Sequence, residues 1–131
     1  MELAALVSGA TLLLVLITVI SRRTTALDRK YFASRWEFIN KTYATPDVGP
    51  RMAVIEADKL LDKALKQSRF PGETMGDRLK SAEKSLKNYQ AVWDAHKLRN
   101  RLVHEDVKLK KSQASSAIST FRAALKGLGA L

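Results

Sequence analysis

The chain opens on an unbroken apolar run, LAALVSGATLLLVLITVI from Leu3 to Ile20, 18 positions without a charge. As a helix such a run would extend about 27 Å, close to the thickness of a bilayer's hydrocarbon core. A cleaved signal peptide would begin with Lys or Arg and end on a small-x-small site, whereas this run follows Glu2 and ends Val19-Ile20-Ser21-Arg22. The pattern therefore predicts a transmembrane anchor over residues 1–21. Beyond it, apolar positions recur at three- and four-residue intervals, and no β-type alternation appears. Leu27, Tyr31, Phe32, Ile39 and Tyr43 predict a juxtamembrane helix to about Ala44, opened by a capping box from Thr25 to Asp28 and broken by Pro46, Gly49 and Pro50.

Pro50 suits the first turn of the next helix, where its missing N–H costs nothing. That helix, RMAVIEADKLLDKALKQ, sets Val54, Ala57, Leu61, Ala64 and Leu65 on one stripe, places Asp62 four residues before Lys66, and ends near Ser68. Pro71 and Gly72 mark a loop, and Thr74 to Asp77 offers a second capping box. From Leu79 the spacing runs through Ala82, Leu86, Tyr89, Trp93, His96, Asn100 and Val103. One long helix is permitted, with Asn88 as the natural break. A last helix opens near Ser112 as N-cap, carries Ala114, Ile118, Phe121 and Leu125, and stops at Gly127 in the manner of a left-handed C-cap. The expected fold class is all-α: a transmembrane helix (1–21), a juxtamembrane helix and linker (22–49), and a small four- or five-helix bundle (50–131).

Charge adds an orientation and a class of partner. Arg22, Arg23, Arg29 and Lys30 follow the apolar run and nothing basic precedes it, so the positive-inside rule places the C-terminal part in the cytoplasm. That cluster is also the expected contact with anionic lipid headgroups. The chain of 131 residues carries 23 Lys+Arg against 13 Asp+Glu; without Glu2, residues 21–131 hold 23 basic against 12 acidic side chains, a surplus of 11 that favours lipid or nucleic acid. With no Cys, disulfides, thiolate metal sites and a Cys nucleophile are excluded. Imidazole chemistry can run only through His96 and His104, and no metal-ligand spacing accompanies them. No cofactor is expected. Trp36 and Trp93 read as core or membrane-interface aromatics. Asn40-Lys41-Thr42 matches a glycosylation sequon that a cytoplasmic location would leave unused.

The unusual stretch is Asp94-Ala95-His96-Lys97-Leu98-Arg99-Asn100-Arg101-Leu102-Val103-His104-Glu105-Asp106. His96 and Asn100 occupy stripe positions held upstream by Leu, Ala, Tyr and Trp. Burying an amide or imidazole without partners costs a few kcal/mol, so these groups must meet polar partners or line a wet cleft. The segment resembles the signature of HEPN domains, all-helical bundles of prokaryotic defence and RNA-processing proteins. Their motif is Arg, a polar residue, three to five residues, then His: here Arg99, Asn100, Arg101-Leu102-Val103 and His104. The AHKLRNRLVHE context, followed by one more amphipathic helix, is similar to that family over roughly residues 50 to 128.

The resemblance implies metal-independent RNA cleavage at a dimer cleft, with Arg99, Asn100 and His104 in the catalytic site. Chemically, a histidine of pKa ~6.5 can move a proton while a guanidinium neutralises phosphorane charge. Lys97, Arg101 and Lys108 are candidate phosphate contacts, and the Lys108, Lys110, Lys111 run could add to them. On an ideal helix Arg99 and His104 stand about 140° apart, and Asn100 and His104 only about 40°. The first pair converges only if the helix ends or distorts near His104, or if a second subunit completes the site. A two-fold homodimer joining the faces of His96, Asn100 and His104 would supply that. Three functions stay open: metal-independent ribonuclease, RNA or nucleotide binding without cleavage, and a structural or assembly role in which the cluster is a packing or dimer contact.

Overall fold

The structure, a computed structural model, describes residues 8–18 and 26–131, and every regular element among them is helical. Residues 8–18 form a helical stretch whose Leu12 to Ile17 side chains are exposed. After it come α1 (Arg29–Tyr43), α2 (Gly49–Gln67), α3 (Met75–Ser81), a 3-10 turn (Glu83–Ser85), α4 (Tyr89–His104) and α5 (Lys111–Gly127). The all-α bundle expected from periodicity is present; the expected transmembrane helix is not found among the described residues, where no helix is long and apolar enough to cross a membrane. The described part of the Leu3–Ile20 run covers only about 16 Å as a helix, and the remainder of the run, with Arg22 and Arg23, lies outside the described residues.

Helix α2 is the axis of the bundle, in contact with α1, α3, α4 and α5. It is central because it carries apolar or small residues on more than one stripe: Ala53, Val54, Ala57, Leu60, Leu61, Ala64 and Leu65 are all buried. Helix α1 is part of the same core and not a separate juxtamembrane element, since Phe32, Trp36 and Ile39 pack in one cluster with α2 and α5. Its N-cap is Asp28, whose carboxylate accepts from Tyr31 N–H; the Thr25 of the expected capping box lies outside the described residues. The turn into α2 needs Gly49, because a Cβ there would collide with the Thr42 carbonyl oxygen.

The boundaries further on follow local chemistry. Thr74 and Asp77 form the expected reciprocal capping box at α3. The long stripe from Leu79 divides at the 3-10 turn, where Leu86 is extended, and α4 starts after Asn88 as the spacing suggests. Asn88 gives its side chain not to a cap but to the Thr120 carbonyl of α5, 3.4 Å away. Helix α5 begins one residue before Ser112, with Gln113 accepting from Lys110 N–H. It does not stop on a left-handed Gly127: that residue is helical, and the positive φ falls at Gly129.

Loop 68–74 is tied to the bundle by Arg78, buried in α3. Its guanidinium donates to both Asp62 carboxylate oxygens at 2.7 and 3.1 Å and to the Gly72 carbonyl at 2.7 Å, while Lys66 adds a 3.2 Å ion pair to Asp62. Burial pushes the Asp62 carboxyl up, but the hydrogen bonds from Arg78 and Lys66 outweigh it and hold the carboxyl below its ordinary value. A depressed folded value makes this stabilisation complete above about pH 4 and lost as pH falls through the folded value. The thermal midpoint of the wild type should therefore exceed that of Asp62→Asn at neutral pH, and the gap should close towards about pH 2. A gap that persisted unchanged in acid would show that the carboxylate's charge contributes nothing.

Candidate functional site

Helix α4 turns a different face to the core from the one its stripe suggests. Val92, Ala95 and Leu102 are buried against the bundle, whereas Val103 is 47% exposed and Trp93 and Asn100 are half-buried. The stripe Trp93, His96, Asn100 thus lies on the flank of the helix. With the turn Thr74 to Gly76 it lines an open cleft of about 410 Å³, whose other lining residues include Lys97 and Arg99.

At the base of this flank sits Asp58 of α2, 2% exposed. His96 Nδ1 lies 2.9 Å from Asp58 Oδ1, and Asn100 Nδ2 lies 3.3 Å from His96 Nε2. Arg99 Nη1 donates to Asn100 Oδ1 at 3.0 Å, and Arg99 Nε approaches Asp58 Oδ2 at 3.4 Å. The four side chains close a ring. With Asp58 ionised and His96 neutral, its polarity follows from its members: the carboxylate only accepts and the guanidinium only donates, so His96 donates through Nδ1 and accepts at Nε2. Both ring nitrogens of His96 are engaged. The Arg99 Nε contact is an ion pair without hydrogen-bond alignment, which leaves that buried N–H unsatisfied. Arg99 Nη2 has no protein partner among the described residues.

Burial pushes the Asp58 carboxyl up, and His96 and Arg99 offset part of the rise without cancelling it. Trp93 flanks the imidazole, with ring centroids 6.0 Å apart, and is itself stacked on Tyr89 at 6.3 Å. Trp36 is core, as expected; Trp93, read in the same way, packs against the core and also forms part of the cleft wall.

Of the expected site residues, Arg99 and Asn100 come together and His104 does not join them. Helix α4 ends at His104, where Glu105 turns extended, and the imidazole is exposed with no hydrogen bond or ion pair to a described residue. The candidate phosphate contacts also disperse. Lys97 borders the cleft but is paired with Asp94 at 3.0 Å, and Arg101 is paired with Glu105 at 3.4 Å over the α4–α5 groove. Lys108, Lys110 and Lys111 surround a separate cavity of about 400 Å³ beside Tyr43 and Arg51. The polar groups on the α4 stripe find their carboxylate inside the chain, so no dimer is required to satisfy them. Asp58 was the residue that sequence reasoning missed. A signal existed, since Asp58 falls four residues after Val54 and three before Leu61, a carboxylate on an apolar stripe. Among the described residues no group of three or more His, Asp or Glu side chains is placed to hold a metal ion. Comparison of the chain with protein-family models, curated proteins and solved structures gave no match.

Proposed function

We propose that the bundle is a HEPN-like module that binds the phosphate backbone of single-stranded RNA in the cleft over Arg99. The observation that carries this reading is the state of the guanidinium. Asn100 and Asp58 hold it through Nη1 and Nε, Nη2 has no partner among the described residues, and Arg99 lines a cleft that also bears Lys97 and Trp93. A guanidinium held in place loses little freedom when it engages a phosphate, and its planar fork suits two phosphate oxygens. The surplus of basic residues in 21–131 draws a polyanion towards it.

Cleavage needs, in addition, a group that moves a proton. His96 is a poor choice because its nitrogens are occupied by Asp58 and Asn100. His104 is free but lies outside the residues that line the cleft. In this proposal, metal-independent cleavage therefore uses His104 of one subunit and Arg99 of a two-fold partner, and a lone chain binds without cutting. Because two such basic subunits repel, added salt or RNA should favour the pair.

The test is binding and cleavage of a labelled single-stranded RNA by the full chain in the presence of a chelator. Arg99→Lys, which keeps the charge and loses the fork, should weaken binding roughly tenfold. His104→Ala should leave binding and the thermal midpoint unchanged and abolish cleavage. If the wild type neither bound nor cut RNA, the closed ring would stand as a packing device between α2 and α4, a role its nearly complete internal pairing also suits.

A further inference from the structure

Every donor in the ring's hydrogen bonds faces an acceptor only while His96 is neutral. Its Nδ1–H then points at Asp58, its bare Nε2 accepts from the Asn100 amide, and the carbonyl end of that same amide accepts from Arg99 Nη1. A proton added to His96 places an N–H on Nε2, opposite the Asn100 NH2 group. The amide can accept that new N–H only by turning over. Its NH2 then meets the Arg99 Nη1 donor, about 3 Å away, and no lone pair remains between them.

We infer that Asn100 is a positioning residue that couples the charge of buried His96 to Arg99, holding the guanidinium in the ring while His96 is neutral and releasing it towards the cleft when His96 is protonated. The other tether of Arg99 is the weaker one, a 3.4 Å approach to Asp58 with no aligned hydrogen bond. An imidazolium would weaken it further by neutralising the same carboxylate. The charged groups around His96 act in both directions. Asp58 of α2 favours its protonation and Arg99 of α4 opposes it, which adds to the force that moves Arg99 out. Asp62 of α2 is already paired with Arg78 of α3 and with Lys66, and Lys97 of α4 with Asp94.

For the cleft, this inference rests on the RNA reading. Protonation adds one positive charge beside the cleft, and that added charge outweighs the freedom Arg99 regains, so a phosphodiester should bind more tightly as pH falls. By linkage, bound polyanion should favour protonation of His96.

The coupling itself can be read without RNA, by side-chain NMR of the isotope-labelled full chain from about pH 8 down to about pH 5. His96 should carry its proton on Nδ1 at the upper end. The Asn100 amide and Arg99 Nε–H signals should then shift with the same midpoint as the His96 ring. In Asn100→Ala, the Arg99 signal should no longer follow His96. The inference is overturned if Arg99 ignores the titration, if it follows His96 equally well in Asn100→Ala, or if His96 does not titrate before the chain unfolds. Binding of a single-stranded RNA oligonucleotide, measured alongside, separates the two claims. Coupling without RNA binding keeps the role of Asn100 and removes the RNA reading, and binding without coupling does the reverse.

Discussion

Asp58→Ala should lower the stability of the bundle by about 2–4 kcal/mol, which for a domain near 100 residues moves the thermal midpoint down by roughly 10 °C or more. The substitution strands the Nδ1–H of His96, only 7% exposed, and removes the carboxylate that Arg99 Nε approaches. Arg99 limits the loss, because its side chain is 23% exposed and can turn to water. His96 has no such escape. The expected asymmetry gives a second measurement: adding His96→Leu to Asp58→Ala removes the stranded donor, so the double variant should be more stable than Asp58→Ala alone. Chemical denaturation of the two variants decides the matter. If the double variant were the less stable, the side chain of His96 would be contributing packing that outweighs its hydrogen bonds.

Phe121→Ala should cost about 3–5 kcal/mol, at the upper end for a core truncation. Phe121 of α5 is fully buried in a core unusually rich in alanine, including Ala53, Ala57, Ala64, Ala114, Ala117 and Ala124. Alanine faces let α2 and α5 approach closely, so most of the packing volume comes from a few large side chains, among them Phe32, Phe121, Ile39, Leu61 and Leu65. Alanine has no side-chain torsion with which to fill a vacated space, so the cavity should persist. Equilibrium unfolding in urea should show a lower midpoint with an unchanged slope. A loss below about 1 kcal/mol would mean that α5 can slide to close the gap.

The bundle's helices were legible in the sequence because their signals are local. Thr74 and Asp77 lie three residues apart and form their capping box within one turn. Pro50 sits in the first turn of α2, and Asn88 precedes α4, each within a residue or two of the place that pattern alone indicates. At the N-terminus the transmembrane helix expected from hydropathy was not found: among the described residues no helix is both long and apolar enough to cross a membrane.

The motif residues were legible as a list and not as a site. Arg99, Asn100 and His104 are close in sequence, but the pairing that organises the first two comes from Asp58, which lies 38 residues before His96. The carboxylates nearer in sequence, Asp94 and Glu105, are instead spent on Lys97 and Arg101, about one turn away along the chain. A local ion pair on an exposed face forms at little entropic cost, so nearby charges satisfy one another first.

By itself the sequence determined the helical class, most of the helix boundaries and the presence of polar groups on the apolar stripe of α4, since these follow from the 3.6-residue period and from caps within a few residues. Only the tertiary structure decided which face of α4 turns inward. Neighbouring stripes on one helix differ by about 100°, and periodicity does not choose between them. Packing of α4 against α2 chose Val92, Ala95 and Leu102 for the core, brought His96 to Asp58 and left Trp93 and Asn100 along a cleft. The same rotation, with the end of the helix at His104, left that imidazole in solvent, away from the arginine its motif would pair with it.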